Sequence, residues 1–133
     1  MKEIFWKDSF LALGQAIQRL HEVIERTKID KEPIFLDAAI QRFEFVIELF
    51  WKTLKKILKH EKTESNTPKD VLSKAFQFSL IDDEKLWLGM LDDRNITSHV
   101  YKYEDAQRVF ENIKLYLPVL EKTYNKLEKK YFG

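Results

Sequence analysis

Between Trp6 and Ile24 the apolar residues fall at Trp6, Phe10, Leu13, Ile17, Leu20 and Ile24, in alternating steps of four and three. That spacing keeps them on one side of an α-helix, so the segment predicts a helix buried along one stripe. Asp30 to Pro33 interrupts the pattern, and Pro33 suits a first helical turn, where its missing N–H would have no partner in any case. A second helix is predicted from there, with a seam of Leu36, Ile40, Phe43, Ile47, Phe50, Leu54 and Ile57 that Ala39, Val46, Trp51 and Leu58 widen into a broad face. The stretch His60 to Thr67 is polar and has no period. Thr67, Pro68 and Asp70 then read as an N-cap, an N1 proline and a first-turn acid, predicting a short third helix from Pro68 to Phe78. Asp82, Asp83 and Glu84 open a fourth helix that carries Leu86, Trp87, Met90 and Leu91. Glu104 and Asp105 open the last, with the stripe Ala106, Val109, Ile113, Leu117, Leu120, Tyr124, Leu127 and Tyr131, and Pro118 inside it predicts a bend.

Wide stripes joined by short connectors favour antiparallel neighbours, so the expected fold class is all-α: an up-and-down four-helix bundle with an additional short helix. The chain of 133 residues is read as one domain over 1–133, with no internal repeat or linker-like tract. Phe45 and Leu49 lie outside the main seam of the second helix, which points to a homodimer covering that surface. Three Gly and three Pro are too few for the turns of an all-β fold, and 18 aromatic residues argue against disorder. Met1 to Leu20 contains no unbroken apolar run, so neither a leader nor a membrane span is expected, and the chain is read as soluble and cytoplasmic with no membrane partner.

The absence of cysteine removes disulfides, thiolate metal sites and thiol nucleophiles together. Histidines stand at 21, 60 and 99 without metal-ligand spacing, and the three glycines stand apart, so no metal, no glycine-rich phosphate cradle and no cofactor is expected. A net charge of +1 names no partner, and DNA is not expected as one. Glu44 and Glu48 are one helical turn apart, a spacing that can serve acid–base or metal chemistry, but Glu48 also stands four residues before Lys52, and the surface ion pair is the simpler reading. Lys52, Lys55, Lys56, Lys59 and Lys62 make the end of the second helix basic, as do Lys122, Lys126, Lys129 and Lys130 near the C-terminus. Such a patch can hold RNA phosphates, although the helix dipole alone favours lysine there.

One window differs in kind. Asp93 to Tyr101 places the permanent cation of Arg94, the amide of Asn95, the hydroxyls of Thr97 and Ser98, the imidazole of His99 and the phenol of Tyr101 within nine residues. On an ideal helix Arg94 and His99 would point about 140° apart, so convergence needs the helix to end between them or two chains to contribute. The plain alternative is an Arg–Asp surface pair beside a histidine at a helix C-terminus.

These residues resemble the HEPN superfamily (higher eukaryotes and prokaryotes nucleotide-binding), and within it the small bacterial and archaeal nucleotidyltransferase substrate-binding proteins. The likeness is carried by Gln41-Arg42-Phe43-Glu44-Phe45 through Trp51-Lys52-Thr53-Leu54-Lys55, and by Arg94-Asn95-Ile96-Thr97-Ser98-His99-Val100-Tyr101, which matches the family's R-x4-H-x-Y pattern. The resemblance implies a chain that works with a separately encoded minimal nucleotidyltransferase as a hetero-oligomer. It further implies a metal-independent endoribonuclease of a toxin–antitoxin pair, with a site formed across a homodimer. In that reading His99 is general base or acid, Arg94 stabilises the phosphorane and Asn95 orients the phosphate or the imidazole. Arg94 and Ser98 bind substrate, and Tyr101 is the acceptor of an inactivating adenylyl group. The alternative reading is a non-catalytic subunit that presents a nucleotide or small molecule to the nucleotidyltransferase, and a plain helical scaffold is a third.

Overall fold

The computed structural model describes residues 4–97 and 103–133. Its five helices are α1 (Lys7–Ile29), α2 (Pro33–His60), α3 (Pro68–Gln77), α4 (Glu84–Thr97) and α5 (Tyr103–Phe132), with no strand among the described residues. α1, α2, α4 and α5 run up, down, up and down, and α3 is the additional short helix. The directions follow from side-chain contacts. Ser9 near the start of α1 meets Thr53 late in α2, 2.9 Å between hydroxyls, so these two helices are antiparallel. Lys126 reaches Asp82 while Tyr116 reaches Asp93, which sets α4 antiparallel to α5. No helix among the described residues is long and apolar enough to cross a membrane.

The caps are largely those the sequence predicts. The Asp70 N–H donates to Thr67 Oγ1 at 3.1 Å, starting α3 before Pro68. Asp83 Oδ1 accepts from the Leu86 N–H at 3.1 Å and starts α4. α3 stops at Gln77, with Phe78 as its C-cap rather than its last residue. α2 ends with Lys62 in the left-handed region, φ 61°, and the Thr63 N–H on the Leu58 carbonyl at 2.8 Å, a Schellman closure without glycine. α5 continues as helix through Pro118, which takes away one N–H donor.

The buried residues form one cluster to which every helix contributes. α2 supplies most, from Leu36 to Leu58, and it packs against all four other helices. α5 buries Phe110 and Tyr116 in addition to most of its predicted stripe, of which Tyr124 and Tyr131 are only half-buried. Two residues of the predicted α2 face, Ile40 and Trp51, are only half-buried, because α2 turns its central flank towards solvent there. At one end Trp6 is fully buried and packs edge-on against Tyr131, with ring centroids 5.0 Å apart.

Gly14 of α1 makes room for the Tyr124 side chain of α5. Tyr124 stacks on Phe10 with centroids 4.2 Å apart and donates its hydroxyl to the Phe10 carbonyl at 3.2 Å, so its position is fixed from two sides. A Cβ at Gly14 would lie 2.4 Å from that hydroxyl oxygen. Gly14→Ala should therefore destabilise the protein by about 1–3 kcal/mol in urea unfolding, although alanine in place of glycine ordinarily favours a helix.

Candidate functional site

α4 is short, and its last turn is fixed from behind before it presents anything forward. Asp93 Oδ2 accepts from the Tyr116 hydroxyl at 2.6 Å and from Asn112 Nδ2 at 3.1 Å, both on α5. Burial first, and then the neighbouring carboxylates of Asp93 and Asp92, push the Tyr116 phenol well above its ordinary range, so it stays a donor. Tyr116 is itself held by stacking on Phe43 of α2, centroids 5.7 Å apart. Successive residues of a helix diverge by about 100°, so pinning Asp93 to α5 aims Arg94 elsewhere, towards α2.

There the Arg94 guanidinium meets Glu48. Nη2 donates to Glu48 Oε2, and Nη1 donates to Asn95 Oδ1 at 3.1 Å. The ends of these side chains are partly covered, 35% exposed for Arg94 and 30% for Glu48. Glu48 also accepts from Trp51 Nε1 at 3.2 Å and pairs with Lys52 Nζ at 3.3 Å. Partial burial tends to raise the Glu48 carboxyl, but the Trp51 and Lys52 hydrogen bonds and the charges of Arg94 and Lys52 outweigh it and hold the group below its ordinary value. Thr97 Oγ1 donates to the Arg94 carbonyl at 2.7 Å, satisfying one acceptor of the last turn of α4.

Arg94 and Glu48 face an open groove of about 430 Å³ whose other walls are Gln41, Glu44 and Phe45. The guanidinium has five N–H donors, and its contacts among the described residues use two of them, in a side chain that lines the groove. Phe45 is 58% exposed and divides this groove from a second one between α1 and α2 that also reaches Gln41 and Leu49. An apolar ring standing in solvent between two grooves is the feature that the pattern of α2 predicts for an uncovered surface.

Of the residues singled out in the sequence, Arg94 and Asn95 are thus in contact with each other at the end of α4. Ser98, His99 and Tyr101 lie outside the described residues, immediately beyond Thr97. Of the plain alternative, the Arg–Asp surface pair is replaced by Arg94–Glu48, with Asp93 turned to α5, and the histidine lies outside the described residues. The expected Glu48–Lys52 pair is present, but it is only part of what Glu48 does. Its contact with Arg94 joins residues 46 positions apart, and no local spacing reports which helix packs beside which. Among the described residues no cluster of His, Cys, Asp or Glu could hold a metal ion.

Comparison with known proteins places this arrangement. Residues 8–129 match the family model described as nucleotidyltransferase substrate binding protein like. Over 115 residues the chain is 34% identical to a Haemophilus influenzae protein named "Probable ribonuclease HepT", covering 79% of this chain and 77% of that one. A solved structure from Thermus thermophilus shares 36% identity at a TM-score of 0.79, covering 86% of this chain and 98% of the other. Another, from Haemophilus influenzae and described as revealing the fold of a substrate binding domain of a nucleotidyltransferase, shares 31% identity at a TM-score of 0.81, covering 90% and 98%. With nearly its whole length matched and its helices in the same arrangement, the chain belongs to the nucleotidyltransferase substrate binding protein-like family.

Proposed function

We propose that this protein is a metal-independent endoribonuclease that works as a homodimer and is silenced by a separately encoded minimal nucleotidyltransferase. The observation that carries the reading is the placement of Arg94. It is held by Glu48 at the rim of an open groove, with three of its donors unused among the described residues, four residues before Ser98-His99-Val100-Tyr101. The relative named as a probable ribonuclease supports the same chemistry. In this reading His99 takes the proton of the ribose 2′-OH, whose oxygen attacks the adjacent phosphorus. The bond from phosphorus to the 5′-oxygen breaks, and the proton lost at one side is replaced on the leaving oxygen by imidazolium, from the same chain or its partner copy. The products are a 2′,3′-cyclic phosphate and a free 5′-hydroxyl. Arg94 binds the phosphate, with Ser98 beside it, and stabilises the doubly charged phosphorane; Asn95 fixes the guanidinium plane or the phosphate. No step calls for a metal.

Tyr101 is the acceptor of the silencing group. Attack of its phenol oxygen on the α-phosphorus of ATP, with loss of pyrophosphate, places an adenylyl phosphodiester two residues from His99. That adds a negative charge and a bulky nucleotide where RNA would bind, excluding it by repulsion and by volume. A second reading is a non-catalytic subunit that presents a nucleotide to the nucleotidyltransferase. It is favoured by the two carboxylates, Glu44 and Glu48, in the groove with a single guanidinium, and by the description of the Haemophilus structure as a substrate binding domain.

The two readings part on His99. Purified protein, free of its partner, should cleave RNA in EDTA to leave cyclic phosphate ends. His99→Ala and Arg94→Ala should each lose about 100-fold or more of that activity, and equal cleavage by wild type and His99→Ala would leave the binding-subunit reading. Incubation with the cognate nucleotidyltransferase and ATP should add one AMP to the intact mass, and Tyr101→Phe should abolish the gain. A third outcome concerns Glu48. Its carboxyl is held below the ordinary value of 4.5, so the stability it contributes is complete above that pH and is lost as pH falls through the lowered value. Glu48→Gln should flatten that acid-side loss in thermal unfolding scans and leave the slope near neutral pH unchanged.

A further inference from the structure

Beyond Glu48 the outer surface of α2 changes sign. Lys52, Lys55, Lys56 and Lys59 stand at i, i+3, i+4 and i+7, the spacing that aligns side chains on one face of a helix. All four line a groove of about 530 Å³ whose apolar floor includes Phe5, Leu49 and Trp51. Lys52 is engaged with Glu48, but Lys55, Lys56 and Lys59 are exposed and make no ion pair among the described residues. Three cations on one face repel one another, the groove lining offsets them with one exposed carboxylate, Glu64, and a polyanion relieves the excess.

The groove carries one further feature. Trp51 fastens its indole N–H to Glu48, which fixes the ring, and the half-buried ring lines the lysine groove beside the carboxylate that holds Arg94. A fixed aromatic face beside a row of cations is the combination that holds single-stranded nucleic acid, the ring stacking on a base and the lysines following the backbone.

We infer that the Lys55–Lys56–Lys59 groove is a docking tract for single-stranded RNA, separate from the cleavage site and leading the strand along α2 to Arg94. This rests on the ribonuclease reading for the destination of the strand, and not for the binding itself. From Lys59 to Glu48 is 11 residues of helix, about 16 Å at the usual rise. A dinucleotide seated at Arg94 does not extend that far, whereas a strand of several nucleotides does. The tract therefore favours long substrates over short ones while leaving the chemistry at Arg94 untouched.

The test is the triple variant Lys55→Gln, Lys56→Gln, Lys59→Gln, whose positions are exposed and outside the core, made in wild type and in His99→Ala. Binding of a fluorescent single-stranded RNA of about twelve nucleotides is measured in the His99→Ala background between about 50 and 200 mM salt. Removing three phosphate contacts should lower the slope of log affinity against log salt by about 2, so the parent loses about 20-fold more affinity than the triple variant across that range. In the wild-type background, cleavage of the long RNA should fall while cleavage of a dinucleotide stays level. An unchanged salt slope overturns the tract. So does an equal loss on both substrates, or a loss confined to nucleotidyltransferase binding, which would assign the lysines to an acidic protein surface. If the lysines govern RNA binding but His99→Ala cleaves as wild type does, the tract stands and the ribonuclease reading falls.

Discussion

α2 is the one helix that touches every other, and the rest of the structure depends on how its circumference is divided. Its buried side, from Leu36 to Leu58, is the wall on which α1, α3, α4 and α5 are laid. A helix surrounded on most sides has little surface left to offer. What α2 keeps is a narrow strip from Gln41 to Lys59, bounded by α1 on one flank and by the end of α4 on the other. Apolar burial therefore decides where polar chemistry can sit: the groove side chains occupy the part of α2 that packing leaves over.

The strip is ordered along its length. Gln41, Glu44 and Phe45 come first, Glu48 with Arg94 in the middle, and the lysines after. Glu48 stands at the change of sign and is shared by Arg94, Lys52 and the Trp51 indole. A carboxylate with three donors has little freedom to turn, so it holds the guanidinium in one orientation before any anion arrives. It also offsets part of the guanidinium's charge, and an incoming phosphate must compete with it for the cation. The back of the same turn is secured independently through Asp93, Asn112 and Tyr116. Arg94 is thus oriented by two helices that do not depend on its own rotamer.

The helices were legible because burial leaves a period in the chain. Trp6, Phe10, Leu13, Ile17, Leu20 and Ile24 are all buried as their spacing requires, and Thr67 caps α3 as its side chain and the following proline imply. Arg94 and Asn95 were legible by chemical density, and they touch. Glu48 was read only through Glu44 and Lys52 on its own helix, because a partner on another helix leaves no local trace. Asp93 was passed over for a similar reason: it entered only as the first residue of the window, and its partners are on α5. Trp51 reads as a core residue by period, yet its indole N–H is engaged at the surface. In each case the missing information is which helices are neighbours, and that is fixed only when all the stripes are packed together.

The edge-on packing of Trp6 against Tyr131 has a topological consequence. It brings the two extremities of the described chain side by side at one end of the bundle, while Asp93 and its partners Asn112 and Tyr116 lie about 22 Å further along α5, by the rise of the 15 residues from Tyr116 to Tyr131. A short peptide joining those extremities would bridge little distance, so the fold is suited to circular permutation, with new ends opened in the 61–67 connector and not in 78–83, where Leu80 and Ile81 are buried in the core. Additional polypeptide attached at either extremity would likewise emerge far from the guanidinium.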